Sequence, residues 1–124
     1  MEKIFTELYK DIHNSAQTQQ DPLKRFLFLT RQHVLIIFYI ASQLNQKTTL
    51  EDICYNVSPK IVSRSTIQNI LKEGIKINFF EKETNEKDKR EKFYKLTNEA
   101  SKVMQDWAHN QNTIFSSIND LIKK

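Results

Sequence analysis

The sequence predicts a mainly α-helical fold with one small β-hairpin, in which a helix-turn-helix precedes the hairpin and further helices flank both. Three observations predict it. One Gly and two Pro among 124 residues favour long helices joined by short connections. Apolar residues recur at helical spacing over most of the chain. Two short aromatic runs around a charged loop, within residues 79–96, have the pattern of a hairpin.

Composition and charge indicate one globular domain over residues 1–124. Hydrophobic residues make up 39% of the chain, which is ordinary for a folded domain, and 124 residues are too few for two. The single cysteine, Cys54, excludes a disulfide within the chain and favours a reducing compartment. The longest apolar run, Val34 to Ala41, is too short to cross a bilayer, so we expect a cytoplasmic protein without a membrane partner. A net charge of +4 is compatible with nucleic acid as a partner.

The N-terminal third predicts three helices. Asp21 followed by Pro22 predicts an N-cap and the first position of a short helix. Thr30 can cap the next helix, from Arg31 to about Leu44, and the apolar run on nearly all its faces predicts a central position. Before both, a helix from residue 2 to about 19 carries an apolar stripe at helical spacing: Ile4, Phe5, Leu8, Ile12 and Ala16.

Residues 48–77 predict a helix-turn-helix. Thr48 and Thr49 offer either a cap or one short strand before a short helix from Leu50 to about Val57. Ser58-Pro59-Lys60 has the chemistry of a turn, and Ser63 can cap a second helix that runs to about Ile77. The glycine on the inner face of this second helix is expected to allow close approach of a neighbouring helix. The inner residues are Ile67, Ile70, Leu71 and Gly74.

The hairpin and one last helix complete the chain. Asn78 stands where a left-handed C-terminal cap is expected, a conformation that Asn tolerates. Residues 79–83 and 91–96 are the predicted strands, around a loop at residues 84–90. The last helix is predicted from Asn98 to about Lys123.

That last helix carries a heptad pattern along its whole length, with one polar member, Gln111. So small a body cannot cover a helix this long and apolar, and a second chain is the natural cover. We therefore expect a homodimer with dimerisation arms at residues 1–20 and 98–124 and a core at residues 30–97. The expected interface residues are Ile4, Phe5, Leu8, Ile12, Met104, Trp107, Gln111, Ile114, Ile118 and Leu121.

The helix that begins at Ser63 has an outer face of polar and basic residues without an acidic one. Ser, Gln and Asn side chains read base edges, while Arg and Lys hold guanine or phosphate. Such a face is also typical of a solvated helix, but its place after a short helix and before a basic hairpin favours contact with duplex DNA. The expected contacts on the turn and this helix are Lys60, Ser63, Arg64, Ser65, Thr66, Gln68, Asn69 and Lys72.

The hairpin tip mixes acidic and basic residues, a pattern that often means only a solvated loop. Asp88, two residues before Arg90, can brace the guanidinium, which leaves Lys87, Lys89 and Lys92 for phosphates. An Arg on a thin finger suits a narrow minor groove. We therefore expect all five residues to contact DNA.

No residue pattern favours catalysis, a metal or a cofactor. The three histidines, His13, His33 and His109, lack the spacing of metal ligands, and one glycine excludes a Gly-rich phosphate loop. Cys54 is interpreted as a small buried hydrophobic residue in preference to a redox sensor. We therefore expect a protein that is not an enzyme and that has no cofactor.

Four segments carry a family resemblance: Leu29 to Leu35, Val62 to Ile67, Asp88 to Arg90, and Leu96 to Ala100. On these segments the chain resembles the MarR-like winged-helix transcriptional regulators, including the small SarA-like members, over nearly its whole length. The Asp-x-Arg wing followed by Leu-Thr is the more specific part of the resemblance. The chain departs from the family pattern at Ser58-Pro59-Lys60, where the turn is about three residues longer than usual.

The resemblance implies a homodimeric, sequence-specific regulator of transcription, associated with the nucleoid. It implies that the recognition helix, residues 63–77, enters the major groove of duplex DNA and that the wing, residues 84–92, enters the minor groove. A small-molecule effector is a further partner that the family implies. Two alternatives stay open: a winged-helix module for protein interaction or assembly without DNA binding, and a phage or plasmid DNA-binding protein for replication or partition.

Overall fold

The computed structural model describes residues 1–17, 21–43 and 47–122, with the side chains of residues 15–17 and 117–122 left out of the description. Each predicted helix and strand is present, and most ends agree within two residues. The ends predicted near residues 19, 44 and 123 lie outside the described residues. The elements are α1 (Glu2–Gln17), α2 (Pro22–Leu27), α3 (Arg31–Ser42), α4 (Leu50–Asn56), α5 (Arg64–Lys76), β1 (Phe80–Thr84), β2 (Lys92–Leu96) and α6 (Asn98–Ile122).

Four helices begin at side-chain caps. Each capping oxygen accepts a hydrogen bond from a backbone N–H in the first turn, where helical partners are lacking. At Thr49 this bond is one half of a capping box, because the Asp52 carboxylate also accepts from the Thr49 backbone N–H at 3.0 Å. The capping residues are Asp21, Thr30, Thr49 and Ser63.

Both alternatives for residues 48–49 occur together. Thr49 caps α4, while the Thr48 carbonyl accepts a hydrogen bond of 2.8 Å from the Tyr94 backbone N–H and forms an isolated bridge to β2. The chain before the helix-turn-helix is thereby attached to the hairpin, whose two strands pair antiparallel with Phe80 opposite Leu96.

Helix α3 is central, as its apolar run predicts. Its Ile36, Ile37 and Ile40 are 0–2% exposed in a core shared with α2, α4, α5 and the hairpin. Helix α5 packs on this core through Ile67, Ile70, Leu71 and Gly74, so its opposite face is turned to solvent.

The expectation that Gly74 admits a neighbouring helix is wrong. A Cβ atom on Gly74 would lie 2.1 Å from Cδ2 of Phe80, so the glycine makes room for an aromatic ring at the start of β1. Asn78 does adopt the expected left-handed conformation, with φ of 67°, and reverses the chain between α5 and β1.

The N- and C-terminal helices contact each other. Both side chains that α6 presents at Asn110 and Gln111 donate hydrogen bonds of 2.9 Å to the Asp11 carboxylate of α1. No helix in the described part of the chain has the length and apolar character needed to cross a membrane.

Candidate nucleic-acid interface

The exposed face of α5 is the face that the sequence predicts. Arg64, Ser65, Gln68, Asn69 and Lys72 are all exposed, at positions opposite the buried Ile67, Ile70 and Leu71. Neither the Gln68 nor the Asn69 amide has a hydrogen-bond partner in the part of the chain that the structure describes. Both amides can therefore pair with a base edge without first breaking a bond within the protein.

Ser63 and Thr66 have structural duties at the start of α5. The Ser63 hydroxyl accepts a hydrogen bond of 3.2 Å from the Thr66 backbone N–H and donates one of 2.9 Å to the Thr66 hydroxyl. Ser65 lies 3.2 Å from the same Ser63 oxygen. These hydroxyls organise the first turn of α5, and any contact with DNA would come in addition to that.

Arg64 is bonded to a carboxylate that the sequence analysis did not single out. Both of its Nη atoms donate to Glu51 of α4, at 3.1 and 2.5 Å, and Nη1 lies 4.0 Å from Cys54 Sγ. The hydrogen bond to Arg64 lowers the pKa of the Glu51 carboxyl, and the same bond raises the pKa of Arg64. Glu51 precedes Arg64 by 13 residues on another helix, so no local pattern could have paired them.

The turn between α4 and α5 spans residues 57–63 and is held from within and from behind. The backbone N–H groups of Ile61 and Val62 donate to the Ser58 carbonyl, at 2.9 and 3.1 Å. Gln32 of α3 donates from Nε2 to the Ile61 carbonyl at 3.0 Å. Lys60 is exposed at the tip of this turn, and α3 thus supports the long turn that sets where α5 begins.

The wing contains the predicted brace. Asp88 Oδ1 accepts hydrogen bonds from the Arg90 backbone N–H, at 3.1 Å, and from Arg90 Nε, at 3.3 Å. Lys87 and Lys89 are exposed, whereas Lys92 is half-buried and donates from Nζ to the Thr84 hydroxyl across the hairpin at 3.0 Å. Of the wing cations, Lys92 is therefore the one that also holds the two strands together.

Helix α5 and the wing meet at a cleft. The cleft has a volume of about 210 Å³ and lies between the starts of α4 and α5 on one side and β2 on the other. Three cations from the two predicted DNA-binding elements reach it together with two carboxylates. Its charged lining residues are Glu51, Arg64, Arg90, Glu91 and Lys92.

The residues predicted for a dimer interface fall into two groups. Ile4 is buried within the chain, Gln111 bonds to Asp11, and Trp107 lies partly buried with its ring 5.3 Å from that of Phe38. Leu8, Met104 and Ile114 are half-buried. Phe5 and Ile12 are 61% and 52% exposed, and Tyr9 between them is 64% exposed, although the sequence analysis did not name it. The side chains of Ile118 and Leu121 lie outside the described residues.

The residues set aside as structural have defined partners. Cys54 is half-buried against the core, so its interpretation as a fully buried side chain is wrong. His33 is buried: Nδ1 lies 2.6 Å from the Thr30 hydroxyl and Nε2 lies 3.0 Å from the Glu73 carboxylate of α5. Among the described residues, no three His, Cys, Asp or Glu side chains are grouped so that they could hold a metal ion.

Comparison with known proteins identifies the fold. Residues 29–100 match the profile of the winged helix DNA-binding domain family. No curated protein matches the chain. The structure of the S. aureus MepR–DNA complex is similar, with a TM-score of 0.58 and 17% identity over 94% of this chain and 88% of that one.

Two further solved structures share this arrangement. A Bacillus cereus protein assigned as a MarR-like transcription regulator has a TM-score of 0.54 and 16% identity, over 90% of this chain and 79% of that one. NadR in complex with 4-hydroxyphenylacetate has a TM-score of 0.57 and 18% identity, over 94% of this chain and 79% of that one. At these identities the likeness establishes the fold.

Proposed function

Because the chain belongs to the winged helix DNA-binding domain family and has the fold of the MarR-like regulators, we propose that it is a sequence-specific regulator of transcription that binds duplex DNA. The recognition helix α5 enters the major groove, and the wing reaches a flanking minor groove. The protein acts through occupancy of its site and catalyses no reaction.

One observation carries this proposal: the exposed face of α5 holds base-reading side chains and cations, with no acid on α5 among them. Gln68 and Asn69 can each pair bidentately with adenine, and Lys72 can hold a phosphate. The MepR complex shows that a protein of this fold binds DNA.

Affinity measured against salt tests the proposal. We expect retention on random duplex DNA at low salt that is lost as salt rises, and selection of a preferred sequence from a random pool. On the selected site, Gln68→Ala or Asn69→Ala should relax the preference at particular base pairs by roughly 1–3 kcal/mol each. Gln105→Ala, the same change at an exposed position of α6, is the matched control.

Two outcomes would contradict the proposal. Absence of binding to any duplex at low salt would favour a module for protein interaction. Binding without sequence preference would favour an accessory DNA-binding protein for replication or partition.

The proposed binding unit is a homodimer. Phe5, Tyr9 and Ile12 lie at i, i+4 and i+7 spacing and form one exposed apolar face of α1, and Phe115 of α6 is 46% exposed. Two recognition helices related by a twofold axis would read the two halves of a pseudo-palindromic site.

A small apolar effector fits the same scheme. An open groove of about 430 Å³ between α3 and α6 is lined by Phe38, Met104 and Trp107, and a bound ring there would contact the helix that supports α5. NadR, of similar fold, was solved with 4-hydroxyphenylacetate. Release of the selected site by phenylacetate, abolished in Trp107→Ala, would support the effector site. Unchanged DNA affinity across phenylacetate concentrations would argue against it.

A further inference from the structure

Each of two arginines on the proposed DNA-binding surface is bonded to a carboxylate. Arg90 bonds to Asp88 within the wing, whereas Arg64 of α5 bonds to Glu51 of α4. The Arg64 and Glu51 side chains are 53% and 71% exposed. Exposed ion pairs add little to the free energy of folding, so stability does not account for this one.

The geometry of the pair leaves one edge of the guanidinium available. Glu51 accepts from both Nη atoms of Arg64, and the second N–H of Nη1 lies toward Cys54 Sγ. The edge formed by Nε–H and the second N–H of Nη2 has no bond to any described residue. Two parallel N–H donors match the O6 and N7 acceptors of guanine in the major groove.

The charge of the pair works against phosphate. The Glu51 carboxylate neutralises Arg64 and lies in the cleft where Arg90 and Lys92 also point, so it repels a DNA phosphate that approaches these cations. The two bonds also restrict the Arg64 rotamer before DNA arrives, which reduces the entropy lost on binding a correctly placed base.

We propose that Glu51 is a specificity-determining residue: it holds Arg64 for a guanine edge and opposes the use of Arg64 as a clamp on phosphate. This inference rests on the proposed DNA-binding function. Non-specific binding is weakened by Glu51, while binding to the correct sequence is retained.

Glu51→Gln tests this role, because the amide keeps the shape of the side chain and loses its charge. We expect tighter binding to random duplex and a dependence on salt that steepens by about one counterion per protomer. The ratio of affinities for the selected site and random duplex should fall about fivefold or more. Glu81→Gln is the matched control, since Glu81 is an exposed carboxylate that pairs with Lys95 outside the cleft, and it should leave this ratio unchanged.

A second background isolates the part played by Arg64. In Arg64→Ala protein, Glu51→Gln should leave the affinity ratio unchanged, because the braced side chain is gone. An unchanged ratio in the presence of Arg64, or an equal drop in its absence, would overturn the inference while wild-type selectivity upheld the proposed function. Wild-type protein that binds no duplex at low salt would overturn both. Thermal unfolding of each variant verifies that it is folded.

Discussion

Gly74 and Phe80 show how one residue sets the distance between α5 and the hairpin. The Phe80 ring is 1% exposed and lies where a Gly74 side chain would be, with two ring carbons within 2.6 Å of an added Cβ. The buried ring lies against the backbone of α5, so the start of β1 is fixed relative to the recognition helix.

Gly74→Ala is therefore expected to destabilise the protein, although Ala is the better helix former. Forcing a methyl group into a packed core costs about 1–3 kcal/mol, which exceeds or offsets the roughly 1 kcal/mol gained from helix propensity. Chemical denaturation would measure the loss, and Phe80→Leu should recover part of it in the double variant. Equal stability of Gly74→Ala and wild type would show that the ring can move aside.

Tyr94 gives a prediction for alkaline pH. Burial raises the pKa of its phenol, because a half-buried phenolate is poorly solvated. The folded chain therefore keeps this proton at a pH at which the unfolded chain has lost it. Its contribution to stability is complete below the ordinary value of about 10 and is lost as pH rises through the raised pKa. Phenolate absorbance against pH, with Tyr94→Phe subtracted, should show a late-titrating tyrosine; titration at the ordinary value would contradict this.

The helix-turn-helix depends on caps more than on helix length. Helix α4 has seven residues, too few to be stable alone, and its first turn is closed by the Thr49–Asp52 capping box. Its start lies beside Arg64 and the wing, so fraying there would disturb the cleft.

Thr49→Ala should lower the free energy of unfolding by about 0.5–2 kcal/mol. Thr6→Ala is the control, since the Thr6 hydroxyl is exposed and bonds only to the carbonyl of Glu2 within its own helix. Denaturant midpoints of the two variants would compare them. If both lose the same amount, the capping box has no special role.

The wing is expected to act through charge and groove shape. Arg90→Ala should weaken binding to most sequences, most strongly next to A·T-rich flanks, and flatten the salt dependence by about one counterion per wing. Asp88→Ala should reproduce part of this effect because the guanidinium loses its brace. Lys102→Ala removes the same charge from the exposed surface of α6 and serves as control. Superimposable salt curves for wild type and Arg90→Ala would mean that the wing is only a solvated loop.

At the scale of the whole molecule, the single chain buries Ile4 and bonds Asp11 to α6, yet leaves Phe5, Tyr9 and Ile12 exposed. Helices α1 and α6 therefore already form a pair, and the apolar face of α1 that remains is the surface available to a second copy.

Replacing Phe5 and Ile12 with Glu should convert the proposed homodimer to a monomer, because two buried charges without partners oppose association. Light scattering would give the mass, and circular dichroism would verify retained helix. Tyr55→Glu changes an aromatic residue that is 89% exposed on α4 and should leave the mass unchanged. A wild-type monomer at micromolar concentration would exclude the dimer.

The sequence by itself determined the helices, the hairpin and the outward face of α5. Caps, the left-handed Asn78 and the period of apolar residues act within a few residues of the chain and can be read locally. The Asp88–Arg90 brace belongs to this class. Only the tertiary structure decided that Glu51 binds Arg64, that Gly74 receives the ring of Phe80, and that Gln32 supports the long turn. Such contacts depend on the angle and distance at which elements pack, and these follow from core volumes and turn geometry that no local pattern encodes.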